Sequence, residues 1–233
     1  MQEPSAVRIT RLLIFAKLPR SGEVKTRLQP LLGVEGCLTL HYCLIDHALE
    51  LASQWRHGPV ELWLSDQPSQ SDINSPELEH ILSLSSVEHH YQQGKDLGER
   101  MQFALHNSLV QGDRAILIGS DCPRQRIEHL DAAVSQLESG QDIVLQPAED
   151  GGFVLIGSNS AVPNLSGKIS WGGSRVLQQV EVELQKQRLS YGKIETISDL
   201  DDEKDFLLLQ EDDSNFLGKF YKILRQQKKV LTP

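Results

Sequence analysis

Apolar residues follow two rhythms along the chain. Short unbroken runs at residues 11–16 (RLLIFA), 60–64 (VELWL), 115–118 (AILI), 142–146 (DIVLQ) and 153–156 (FVLI) are bounded by glycine, proline or polar clusters. Such runs read as buried strands. Residues 87–92 and 193–197 add two weaker candidates. Elsewhere apolar residues recur every three or four positions: Leu38, Tyr42, Ile45, Leu49 and Ala52 within 36–55, then Leu97, Met101, Ala104, Leu105 and Leu109 within 96–110. That spacing predicts amphipathic helices. Further helices are expected over 76–84, 125–138, 174–188 and 202–229, while residues 65–76, rich in Ser, Gln, Asp and Pro without apolar periodicity, should form a surface loop.

Strands alternating with helices imply right-handed crossovers and a mainly parallel sheet covered on both faces, a three-layer α/β/α architecture. At 233 residues the chain lies within the reach of one such domain, so residues 1–233 are expected to fold as a single unit. Ligands in these sheets collect outside the carboxyl ends of the strands, where strand order reverses. The loops that leave the strands are therefore the segments to search for chemistry.

Composition narrows the partners. Charged residues make up 24% and hydrophobic residues 39%, ordinary values for a folded protein, and the net charge of −9 argues against binding nucleic acid through its phosphates. No stretch approaches the roughly eighteen apolar residues of a membrane helix, and no signal-peptide core precedes the first strand. The expectation is a cytoplasmic protein without a membrane partner, with a homodimer as the protein partner left open. Cys37, Cys43 and Cys122 are odd in number and lack metal-ligand spacing, which favours buried reduced thiols.

Against this acidic background the segment after the first strand stands out. Residues 17–28 (KLPRSGEVKTRL) carry Lys17, Arg20, Lys25 and Arg27. Gly22 permits a tight turn or close approach to a ligand, and Lys17, Lys25, Thr26 and Arg27 are candidates for phosphate oxygens, Arg27 as a two-pronged donor and the lysines as point charges. The loop fits neither G-x-x-x-x-G-K-[ST] nor G-x-G-x-x-G. A solvated basic loop is the structural alternative.

Two aspartate loops follow later strands. G-S-D-C-P puts Asp121 at a strand's carboxyl end, a natural ligand for Mg²⁺ or Mn²⁺; capping of the next helix is the competing role. P-A-E-D-G-G-F adds Asp150, with Gly151 and Gly152 allowing close backbone approach and Glu149 as a weaker acid. Lesser candidates are Arg100, near a helix start that attracts anions, with Asp96 either in the site or a helix cap, and Trp171 of W-G-G-S, which can offer an aromatic face or fill a core. Asp199, Asp201, Asp202 and Asp205 look mainly like acids favoured by a helix dipole, with Asp201 the one considered for the site. His41, His47, His89 and His90 have no carboxylate or cysteine at recognised ligand spacing and read as structural or solvated histidines.

Taken in order over residues 15–174, the motifs F-A-K-x-P-x-x-G-x-V-K-T-R-L, D-L-G-E-R-M, G-S-D-C-P, P-A-E-D-G-G-F and W-G-G-S resemble a bacterial family of small glycosyltransferase-like proteins, DUF2064. That family is similar to the nucleotide-diphospho-sugar transferase (GT-A, Rossmann-like) superfamily, which also includes nucleotidyltransferases such as molybdenum cofactor guanylyltransferase and 2-phospho-L-lactate guanylyltransferase. The resemblance implies that Lys17, Gly22, Lys25 and Arg27 hold nucleotide phosphates, that Asp121 ligates the metal, and that residues 150–152 line the acceptor side together with Trp171. Lys25, Asp121 and Asp150 are the expected catalytic residues. Family members have been linked to glycosyl transfer in arsenosugar biosynthesis. Two departures are visible: the first loop lacks the glycine cluster of sugar-activating nucleotidyltransferases, and S-D-C-P stands where GT-A enzymes usually carry D-x-D. The expected function is metal-dependent transfer from a nucleotide-activated donor, an NDP-sugar first. Nucleotidyl transfer to a phosphorylated acceptor and metal-independent nucleotide binding without catalysis are the alternatives.

Overall fold

The computed structural model describes residues 8–109, 112–211 and 215–230. Seven strands are β1 (Thr10–Ala16), β2 (Val60–Leu64), β3 (Glu88–Tyr91), β4 (Arg114–Gly119), β5 (Ile143–Pro147), β6 (Phe153–Ser158) and β7 (Tyr191–Lys193). The helices are α1 (Gln29–Ala52), α2 (Gln70–Ile73), α3 (Pro76–Leu82), α4 (Leu97–Leu109), α5 (Ile127–Glu138), α6 (Val176–Lys186), α7 (Glu203–Glu211) and α8 (Asn215–Val230), with a 3₁₀ turn at Thr26–Leu28. The strands form one sheet in the order β3-β2-β1-β4-β6-β5-β7.

The expected three-layer architecture is present. In β1, Leu12 and Ile14 face one core with α1, α3 and α5, while Leu13 and Phe15 face a second core with α4 and α6. This alternation across a sheet packed on both faces explains why the central strands carry apolar residues at consecutive positions. A third cluster joins Cys37, Leu40 and Leu44 of α1 to Phe206 and Leu209 of α7 and Phe216, Leu217 and Phe220 of α8.

Several expectations need correction. The sheet is parallel except for β6, which runs antiparallel to β4 and β5. The P-A-E-D-G-G turn is thus a β5–β6 hairpin, and strand–helix alternation breaks there. β7 covers only Tyr191–Lys193; beyond it Ile194 N–H donates to Leu145 O at 3.0 Å and Ile197 bridges to Ala148. Residues 65–76 hold the short helix α2, started by a Ser69–Asp72 capping box and burying none of its residues, so no apolar period could reveal it. Helix α1 begins seven residues earlier than expected, with Pro30 in its first turn and a kink at Gly33 (φ 72°), a conformation glycine adopts freely. Its span, Thr26–Ala52, is also long and apolar enough by length and composition to cross a membrane, contrary to expectation, but 56% of its most apolar window is buried inside the protein. The expected end of α4 at Val110 lies outside the described residues.

The topology sets the site. From β1 the order runs outward through β2 and β3, and from β4 it runs the other way, so the crevice lies between the carboxyl ends of β1 and β4. Phe15 pairs with Gly119 in register, and Ser120 N–H donates to Phe15 O at 2.9 Å. The basic loop and G-S-D-C-P therefore leave the sheet side by side.

Candidate active site

Lys25 is the centre of this crevice. It sits in the left-handed region (φ 47°, ψ 39°) immediately before the 3₁₀ turn, a conformation that costs a non-glycine residue about 1 kcal/mol. The turn aims its side chain inward, where it is 5% exposed, and its ammonium meets Asp121 Oδ1 at 2.9 Å, Asp201 Oδ1 at 3.5 Å and the Leu200 carbonyl at 2.6 Å. Burial opposes its charge, yet Asp121 and Asp201 outweigh that and hold its pKa above the usual lysine value. The same pairing carries the Asp121 carboxyl below its ordinary value against the push of desolvation. The pair is ionised and anchored, and the lysine is already surrounded by protein acceptors.

The other basic residues of the loop divide. Arg20 forms a two-pronged contact with Asp72 at 3.2 and 3.1 Å, which holds Asp72 well below the carboxylate range and fastens the loop to α2. Arg27 is 68% exposed, with a long contact to Asp201 at 3.7 Å, and Lys17 is exposed. Lys17, Glu23, Thr26, Arg27, His41, Asp121 and Asp201 share a polar cavity of about 220 Å³. Gly22 (φ 81°) makes the turn that folds the loop back.

Beside it lies a second cavity of about 210 Å³, lined by Phe15, Leu97, Met101, Phe153, Trp171 and two acids, Asp150 and Asp199. Trp171 is half-buried and meets Phe153 edge-on at 6.4 Å. Gly151 (φ 90°) is required here, because a Cβ would collide with the Ser174 carbonyl oxygen; Asp150 Oδ1 accepts from Gly152 N–H at 2.7 Å and shapes the turn. Arg100 reaches back to the Gly94 carbonyl at 3.3 Å. Asp96 caps α4 through Glu99 N–H at 2.8 Å and also receives Gly167 N–H at 3.2 Å.

Sequence reasoning undervalued the segment 199–201. Leu200 N–H donates to Asp121 O at 3.0 Å and Ile197 N–H to Pro147 O at 3.1 Å, so this segment is stitched to both aspartate loops. Asp201 touches Lys25, and Asp199 has its carboxyl pushed up to about 6 by burial and by the negative charges of Asp201 and Asp150. Asp121 and Asp201 thus converge on Lys25, and Asp199 and Asp150 add negative charge beside Asp201. The signal available in the sequence was the position of D-L-D-D just beyond the last apolar run. His41 was also read as structural; it is 2% exposed, faces the polar cavity, and has one ring nitrogen without a hydrogen-bond partner. The three cysteines are free and buried as expected, and burial pushes the Cys122 thiol up to about 12.

A larger cleft of about 680 Å³ opens beside the same loops among His47, Arg126, Glu149 and Glu195, but there Arg126 and Glu195 already pair at 3.5 Å. At the opposite end of the sheet, Glu61, Glu88 and His90 bring potential ligand atoms within 4.8 Å of one another. Arg11 meets Glu61 at 3.0 Å and Asp113 at 2.8 Å, and Trp63 Nε1–H donates to Glu61 at 2.8 Å. Glu61 is thus already engaged by the protein itself, and Glu88 is exposed.

The site's motifs bring the chain to its relatives. A family model described as an uncharacterized protein conserved in bacteria, DUF2064, matches residues 48–173. The chain belongs to the DUF2064 family. A crystal structure from Desulfovibrio desulfuricans G20, provisionally named a nucleotide-diphospho-sugar transferase, is 28% identical with a TM-score of 0.80, covering 95% of this chain and 96% of the other. A CMP:2-keto-3-deoxy-manno-octonic acid synthetase solved with CTP shares the fold at 12% identity and a TM-score of 0.54, over 87% of this chain and 99% of that one. A Mycobacterium tuberculosis H37Rv protein solved with manganese does so at 16% identity and 0.52, over 88% and 99%. No curated protein matches the chain. This DUF2064 protein therefore has the nucleotide-diphospho-sugar transferase fold, with its charged crevice at that fold's switch point.

Proposed function

We propose that this DUF2064 protein is a divalent-metal-dependent transferase that takes a nucleotide-activated donor, an NDP-sugar, and passes its glycosyl group to a small acceptor. The observation that carries the reading is the junction of two unlike cavities at the β1–β4 crevice: a polar one with exposed Lys17 and Arg27, and an aromatic one holding Asp150 and Asp199. The provisional name of the Desulfovibrio relative agrees with it.

Among the described residues only Glu61, Glu88 and His90 gather three ligand atoms within 4.8 Å of one another, so a metal at the crevice needs substrate oxygens beside the chain's own acids. Asp199 is half-buried beside the like charges of Asp201 and Asp150, and hard divalent cations choose such carboxylates while leaving room for substrate phosphates. Asp121, Asp199 and Asp201 would hold Mg²⁺ or Mn²⁺, which would stabilise negative charge gathering on the leaving diphosphate.

The chain's own groups do the rest. Arg27 and Lys17 bind the diphosphate, with the backbone at Gly22 able to approach closely. Lys25 keeps Asp121 ionised and holds Asp121 and Asp201 in place, a preorganised charge rather than a mobile arm. Trp171, Phe153 and Phe15 exclude water from the acceptor cavity, and Asp150, exposed at the hairpin, orients an acceptor hydroxyl.

The direct test is turnover with Mn²⁺ and panels of NDP-sugars and NTPs. The reading expects release of a nucleoside diphosphate from one NDP-sugar, abolished by Asp121→Ala. Pyrophosphate release from an NTP without NDP-sugar turnover would replace glycosyl with nucleotidyl transfer.

A further inference from the structure

The two cavities of the crevice sort their charges. Lys17, Lys25, Arg27 and His41 all line the polar one. Among the described residues, the aromatic cavity has two carboxylates, Asp150 and Asp199, and no lysine, arginine or histidine in its lining. Apart from those acids its one polar side-chain group there is the indole N–H of Trp171, which has no hydrogen-bond partner.

The walls are apolar and held in place. Leu97 lines the cavity and is still 43% exposed, so it forms part of the mouth. Phe153 and Trp171 meet edge-on at 6.4 Å. Gly98 makes room for that indole, since a Cβ there would lie 2.9 Å from Trp171 Cζ2. Leu177 N–H donates to Gly151 O at 2.9 Å, which fastens the start of α6 to the hairpin that carries Asp150.

Size and chemistry restrict the occupant. The cavity's volume of about 210 Å³ exceeds the roughly 150 Å³ that accommodates a benzene ring, so one ring with a small substituent fits. A phosphate or carboxylate group would enter beside two acids with no cation in the lining to meet it. A sugar or other polyol would leave most of its hydroxyls unpaired against apolar walls. An aromatic guest, by contrast, can pack edge-on or offset against Phe153 and Trp171.

We propose that the acceptor is a single-ring phenol or aromatic alcohol without negative charge, seated among Leu97, Phe153 and Trp171 with its hydroxyl at Asp150. This rests on the glycosyl-transfer reading above. Asp150 Oδ1 accepts Gly152 N–H at 2.7 Å, and Oδ2 receives the hydroxyl hydrogen. The acceptor oxygen bonds to the anomeric carbon of the sugar, and the bond from that carbon to the diphosphate breaks with its electron pair leaving on the diphosphate. The hydroxyl proton passes to Asp150 and on to water. The products are an aromatic glycoside and a nucleoside diphosphate.

The test is saturation-transfer NMR of the full chain with 4-methylphenol, phenyl phosphate and glucose, each alone and with Mn²⁺ plus saturating ADP, CDP, GDP or UDP in turn. 4-Methylphenol should bind at least about tenfold tighter than phenyl phosphate or glucose, keep its signal beside every diphosphate, and lose at least about tenfold in Trp171→Ala. In Leu97→Arg, a change at an exposed position, the gap to phenyl phosphate should shrink to less than about threefold. That variant decides the matter even where Trp171→Ala fails to fold. Equal binding of phenyl phosphate and 4-methylphenol to the wild type, or no binding of 4-methylphenol, would overturn the inference. Displacement of 4-methylphenol by a diphosphate would do so too, by giving the cavity to the donor's base. 4-Methylphenol bound beside a diphosphate, with no glycoside formed from any NDP-sugar, would instead overturn the glycosyl-transfer reading and leave the cavity's selectivity standing.

Discussion

The sheet carries a charged cluster at each end, and the two differ in how their charges are settled. At the amino ends of the strands, Arg11 lies between Glu61 and Asp113 at 3.0 and 2.8 Å, Trp63 donates to Glu61, and His90 stacks on Trp63 at 4.6 Å. At the carboxyl ends one buried ammonium serves Asp121 and Asp201, Asp199 and Asp150 add further negative charge, and His41 Nδ1 faces an oxygen. The first cluster links β1, β2, β3 and the segment just before β4 through paired side chains, with His90 Nε2 left without a hydrogen-bond partner. The second leaves Asp199 among like charges and Lys17 and Arg27 exposed at an open polar cavity, the mark of a site built for a partner.

The comparison breaks most sharply under substitution. Asp121→Ala should lower transfer by about 1,000-fold or more, the scale expected when a transition-state electrostatic group is lost, as read in a turnover assay. Glu61→Gln should leave turnover within about threefold but cost on the order of 2 kcal/mol in denaturant unfolding, because it weakens one charged contact of a buried guanidinium that keeps Asp113. Equal loss of activity in both would erase the distinction between the clusters.

The pH dependence sharpens it. The Asp199 carboxyl titrates at about 6 in the folded protein, above the ordinary aspartate value near 3.9. Between those values the folded state binds more protons than the unfolded one, so in EDTA stability should fall as pH rises from about 4 through 6, by on the order of 2 kcal/mol. Asp199→Asn should flatten that slope, and Mn²⁺ should raise Tm more at pH 7 than at pH 5. A slope unchanged in Asp199→Asn would mean the acid is not confined among like charges.

The smallest contrast lies inside one loop. Arg27→Ala should raise KM for the donor about tenfold, while Arg20→Ala, which unfastens α2 from the loop, should change it less than about threefold. Steady-state kinetics of the two variants, side by side, decide which arginine meets phosphate.

Much of this was legible in the residues. Apolar runs located β1, β2 and β4 within a residue or two, and K-x-P-x-x-G-x-V-K-T-R-L, Asp121 and Asp150 marked the right strand ends. The reversal of β6 was not legible, because a strand buried on both faces reads the same in either direction. Lys25 looked like a phosphate donor and Arg20 like one more charge of a basic loop; their partners, Asp201 and Asp72, lie 176 and 52 residues away, and only the fold shows both spoken for. Asp199, Asp201 and His41 joined the site for the same reason, through tertiary hydrogen bonds such as Leu200 N–H to Asp121 O.

The most direct test of the carboxyl-end cluster as a metal-dependent donor site is thermal stabilisation of the full chain by nucleoside diphosphates, with Mn²⁺ and with EDTA, in the wild type and in Asp121→Ala. One nucleoside diphosphate should raise Tm by several degrees in the wild type with Mn²⁺, and by little in EDTA or in Asp121→Ala. Stabilisation of equal size in all four conditions, or in none, would contradict the account.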